Sequence, residues 1–163
     1  VVESRYIEAV VDFLFMIESL YSDGKFKATQ VEAKYLNTSG LQSMIQSAVV
    51  DDTLRHNVNG DSRIRSAFER DYVGKSSADI TRHIVRLRGF LHHHTSSRPG
   101  IWHPDEHVRY GADAYFLQQL CLAIGFAISD PVWFADEYVA AYKEQASRAA
   151  ENGLVVVVRS KGT

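Results

Sequence analysis

Apolar residues return along this chain at intervals of three and four, the spacing that lines one face of a helix. Tyr6, Ile7, Val10, Val11, Leu14, Ile17, Leu20 and Tyr21 predict a long first helix over 3–21, ending at Ser22-Asp-Gly24. Lys25, Lys27 and Thr29 make a polar connector. A short helix over 30–36 follows, with Val31, Tyr35 and Leu36 inward, and Asn37-Thr-Ser-Gly40 breaks it. Leu41, Met44, Ile45, Ala48 and Val49 give a third, whose exit is read over 51–60. Residues 61–72, with Ile64, Phe68 and Tyr72 four apart, form another. Val73-Gly-Lys-Ser76 lacks the first glycine and preceding strand of a phosphate loop, so it reads as a turn in which Ser76 or Ser77, with Asp79, caps the next helix.

That helix carries Ile80, Ile84, Leu87 and Leu91 as an inward stripe. After a loop from Thr95 to Trp102, His103-Pro-Asp-Glu106 has the order of a helix start, leading into a core helix with Tyr110, Tyr115, Phe116, Leu120, Ile124 and Phe126. Asp130-Pro131 is expected to end it and to cap a last helix from Val132 to about Ala150, stopped at Asn152-Gly153. Leu154 to Val158 is a β-branched run, read as a short terminal strand or tail. The pattern predicts an all-α bundle with long antiparallel core helices over 1–153, and a tail over 154–163.

Charge changes the picture at one place. The net charge is −2, yet from Ile80 through Pro104 there is no Asp, Glu or Lys, while Arg82, Arg86, Arg88, Arg98 and five histidines fall within it. At its centre stands Arg86-Leu-Arg-Gly-Phe-Leu-His-His-His94. Arginine offers a phosphate a planar fork of donors that stays charged, and histidine exchanges protons near neutral pH. Together they suit metal-independent RNA cleavage, in which the 2′-hydroxyl attacks the neighbouring phosphorus. That reaction needs a proton acceptor, a cation for the developing charge and help for the leaving oxygen. A plainer role is also open to such a segment, which at a helix end offsets the dipole and bonds the last carbonyls.

Arg88-Gly-Phe-Leu-His-His93, an Arg followed after four residues by a His near a helix end, resembles the signature of the HEPN superfamily of all-helical domains, many of them metal-independent ribonucleases. The opening run from Arg5 to Leu20, and the passage from the Arg/His helix into the aromatic helix at 110–126, resemble its ApeA-like branch over roughly residues 4–128. The resemblance implies a HEPN-type bundle with Arg88 as phosphate clamp and His93 as proton-transfer group. It further implies a homodimer whose two sites face one groove, tRNA or mRNA as target, and a role in phage defence or as a regulated toxin. Many family members carry a polar residue where this chain has Gly89.

Helical geometry leaves the pairing open. At about 100° per residue, Arg88 and His93 stand about 140° apart, Arg88 and His92 share a face, and Arg86 and His93 nearly coincide. Arg86, His92 and His94 therefore stand as alternates, while Arg82, Arg98, Trp102 and His103 are the expected RNA contacts. A non-catalytic HEPN-like module that binds RNA or dimerises is the alternative function. Metal binding by His92 to His94 with His103, Asp105 and His107 is disfavoured, since no Cys pair or His-Glu-x-x-His accompanies them and Pro104 interrupts the pair. No cofactor is expected. Arg63 and Arg65 read as a solvated face balanced by Asp61, Glu69 and Asp71.

The length suits one domain, and 45% hydrophobic with 23% charged residues is a globular balance. Asp12 and Glu18 interrupt the first apolar run, and Ser129 and Asp130 end the later one, so no membrane segment is expected. A lone Cys121 within an apolar helix rules out an internal disulfide and suits a reducing cytoplasm. The Val-Val start is read as that of a domain taken from a longer protein.

Overall fold

A computed structural model of the chain describes residues 5–92 and 108–151, with the side chains of His92 and Ala150 excepted. Among the described residues the chain is all-α, with eight helices: α1 Tyr6–Tyr21, α2 Ala28–Leu36, α3 Ser39–Val49, α4 Asp52–Val58, α5 Ser62–Asp71, α6 Ser77–His92, α7 Gly111–Trp133 and α8 Asp136–Glu151. The run at 154–158 lies outside them, as does the expected helix start at His103. The chain divides into two compact units, 1–124 and 125–163.

In the first unit α6 is the central member, packed against α1, α2 and α3. Its predicted stripe of Ile80, Ile84, Leu87 and Leu91 is buried, and Ile7, Val10, Leu14 and Ile17 of α1 are buried with it. A polar pair is set into this core. Gln42 of α3 donates at 2.9 Å to the hydroxyl of Thr81, which is fully buried, and at 3.0 Å to the carbonyl of Tyr35. Buried polar groups persist where they are bonded in this way.

The turns follow their sequence signals. Asp23 and Gly24 take positive φ after α1, a conformation a glycine adopts without strain. Ser76 is the cap of α6: its Oγ accepts from the Asp79 amide at 3.1 Å and donates to the Asp79 carboxylate at 2.6 Å. Asp61 caps α5 through the Arg63 amide at 2.8 Å.

Two expected boundaries are corrected. The segment after α3 is the helix α4, because Asp51 accepts from the amides of Thr53 and Leu54 while Leu54 and Val58, four apart, are both buried. Further on, Pro131 does not end α7, which runs through it to Trp133. Proline gives up its own bond to the carbonyl four residues back and crowds that carbonyl, but the helix carries on beyond it, and the Phe134 amide still reaches the Asp130 carbonyl at 3.0 Å.

The window Val108–Trp133 is also long and apolar enough to cross a membrane by length and composition, with a mean hydropathy of 1.3. Half of it is buried inside the protein, as in a core helix. In the second unit, Trp133 and Tyr138 approach at 5.9 Å between ring centroids. An open apolar cleft there is lined by Phe126, Phe134 and Tyr142 among others.

Candidate functional site

α6 continues as one helix through His92, so its register decides which of its cations meet solvent. The buried stripe runs from Ile80 to Leu91, and Arg88 belongs to the same side: it is 6% exposed. Its Nε donates to Oε2 of Glu18 on α1 at 2.7 Å, a second guanidinium nitrogen bonds Oε1 of the same carboxylate, and the third donates to the Phe26 carbonyl at 3.3 Å. Glu18 holds Arg88 even more firmly protonated than usual. Burial, reinforced by the Glu18 charge, raises the Tyr35 phenol beside the pair. An arginine with all three nitrogens engaged and little surface is a strut between α1 and α6. The expected clamp is thus already occupied by a carboxylate.

Arg86 stands about 200° around the helix from Arg88 and is exposed. Its Nε donates within α6 to the Arg82 carbonyl at 3.2 Å. Arg82 is half-exposed, and pairs with Asp79 at 3.0 Å and Glu32 at 3.3 Å. Phe90, partly buried, lies along the same side as Arg86. His93, His94, Arg98, Trp102 and His103 lie outside the described residues, as does the side chain of His92. Among the described residues no three His, Cys, Asp or Glu side chains gather as metal ligands.

The described residues also place together three groups that the sequence reading gave no role. His83 Nε2 lies 2.7 Å from Oδ1 of Asp113 on α7, and Tyr72, at the end of α5, donates its hydroxyl to the same oxygen at 2.5 Å. Tyr72 is wholly buried, its ring stacked on Phe116 at 4.4 Å and edge-on to the imidazole at 5.4 Å. Burial, and then the Asp113 charge, raise its phenol well above the ordinary value, so it is a fixed donor. The Asp113 side chain is 12% exposed and that of His83 is 26% exposed. Since a carboxylate accepts, Nε2 carries the proton facing Asp113, and in the neutral ring Nδ1 is the acceptor.

A sequence signal for this cluster exists. Asp113 is the one acid between Glu106 and Asp130, set among alanines on an apolar helix. A lone carboxylate facing a core must find donors.

The lone thiol behaves as expected of a small hydrophobe. Cys121 is buried, its Sγ lies 3.7 Å from the Phe13 carbonyl, and burial pushes its pKa up to about 12. Arg63 is paired with Asp61 at 2.9 Å on an exposed surface. No protein family, curated protein or solved structure matches this chain.

Proposed function

We propose that the chain is a metal-independent endoribonuclease domain of HEPN type, with the solvent face of α6 as its working surface and Arg86 as its phosphate clamp. The observation that carries this reading is the division of labour between two arginines on one helix. Arg88 is committed to Glu18, while Arg86 is presented to solvent in the basic segment. In this reading a histidine takes the 2′ proton, the 2′-oxygen bonds to phosphorus, the 5′-oxygen leaves with a proton from water, and a 2′,3′-cyclic phosphate remains. Arg86 offsets the charge gathering on the phosphoryl oxygens. The HEPN resemblance adds a second copy of the chain across the groove, tRNA or mRNA as target, and phage defence or regulated toxicity as the setting.

The closed Arg88–Glu18 pair favours a second reading, a HEPN-like module that binds RNA or dimerises without cutting. The two part in one assay, incubation with labelled RNA in EDTA. Cleavage to cyclic phosphate ends that falls at least tenfold in Arg86→Ala supports the ribonuclease. RNA retained but uncut by the wild-type chain supports the module, and cleavage indifferent to Arg86→Ala removes the clamp assigned here.

A further inference from the structure

We propose that His83, in place of the tandem histidines, is the group that takes the 2′ proton, with Asp113 as its positioning residue. This rests on the ribonuclease reading and concerns the same surface. The first ground is reach. His83 and Arg86 are three apart on α6, so their Cβ atoms are about 5–6 Å apart and both side chains meet one phosphodiester. The second ground is orientation. An imidazole acts well as a base when its other nitrogen is fixed by an acceptor, and His83 has that acceptor at 2.7 Å, itself fixed by the buried Tyr72 hydroxyl.

The groups around the ring are of both charges. Tyr72 faces it edge-on from the end of α5, Asp113 bonds it from α7, and Asp79, Arg82 and Arg86 flank it on α6. Arg70 of α5, which forms its own pair with Asp71 at 2.6 Å, adds positive charge within reach of Asp113. On this rim Arg70 and Arg82 are paired with Asp71, Asp79 and Glu32, while Arg86 is exposed on the helix that carries the ring, itself a quarter exposed. The 2′-oxygen–phosphorus bond forms as the phosphorus–5′-oxygen bond breaks. The 2′ proton passes to Nδ1 of His83, and water supplies the one that the 5′-oxygen takes.

His83→Gln keeps an N–H for Asp113 and cannot accept a proton at neutral pH. In EDTA with labelled RNA it is expected to lose about 10²- to 10⁴-fold in kcat with an unchanged melting temperature, while His93→Ala stays within threefold of wild type. Asp113→Asn is expected to lower kcat with KM within twofold, and nitrogen NMR of the ring is expected to show the Nε2-protonated form giving way to the other tautomer. If His93→Ala abolishes cleavage and His83→Gln does not, the inference is overturned and the ribonuclease reading survives. If the wild-type chain cuts nothing, both fall. Unmoved His83 nitrogen signals on adding a 2′-O-methyl oligoribonucleotide, with an actively cutting chain, also overturn it.

Discussion

Arg88 shows how a partner distant in sequence changes what surrounds a residue. Its spacing to His93 matches a phosphate clamp, but the carboxylate that claims it lies 70 positions away on α1. Nothing local in the sequence announces that pairing. Removing one partner strands a buried charge, so Arg88→Ala or Glu18→Ala should cost about 3–5 kcal/mol in chemical denaturation, whereas Arg88→Met with Glu18→Leu should recover most of it. Cys121, in contrast, was legible: an apolar helical context foretold a buried thiol. With its pKa near 12 it should resist thiol-specific reagents at pH 8 in the native protein and react once denaturant opens the core. His83 and Asp113 show the intermediate case, in which the lone acid on α7 signalled a need without naming its partner.

At the scale of elements, periodicity located the helices because each must bury one face, and the stripe on α6 emerged intact. It failed where a short segment was judged by composition. The residues of α4 include Asn57 and are followed by Asn59-Gly60, which suggests a loop, but Asp51 supplies the cap and Leu54 and Val58 the anchor. Asp51→Ala should therefore cost about 1 kcal/mol, measured by denaturant titration. Proline at 131 was read as a stop because it loses the bond to the carbonyl four residues back, yet α7 bears that loss and continues to Trp133. Where α5 meets α7, a Cβ on Gly111 would fall 2.5 Å from Cδ1 and 2.7 Å from Cγ1 of Ile64. Gly111→Ala should destabilise by about 1–3 kcal/mol through overpacking, and a second change, Ile64→Ala, should relieve part of that clash at the expense of the buried isoleucine.

For the whole molecule, hydrophobic spacing predicted an all-α chain, but not that it would divide at 124 within the run read as one core helix. Hydrophobic spacing continues across that point, whereas the boundary depends on how many neighbours each turn finds in three dimensions. The acid behaviour of the molecule follows from its surface pairs. Asp61 is held down to about 2 by its bonds to Arg63, and Asp23 and Asp79 are lowered by Lys34 and by Ser76 respectively. A carboxylate lowered on folding contributes stability above its unfolded pKa of about 3.9 and loses it as the pH falls through the folded value. Stability should thus decline between about pH 4 and pH 2 in a melting series, and Asp61→Asn, which retains an oxygen for the cap, should flatten that limb.

The strut from Glu18 to Arg88 carries one more consequence. A helix is a screw, and pinning one side chain to a neighbouring element sets the rotational phase of the entire rod. With Arg88 keyed to α1, Arg86 is turned to solvent and His83 toward α7, where Asp113 meets it. Any substitution that unlocks this key should be felt first as a turning of the rod, altering which residues RNA would meet before the fold itself gives way.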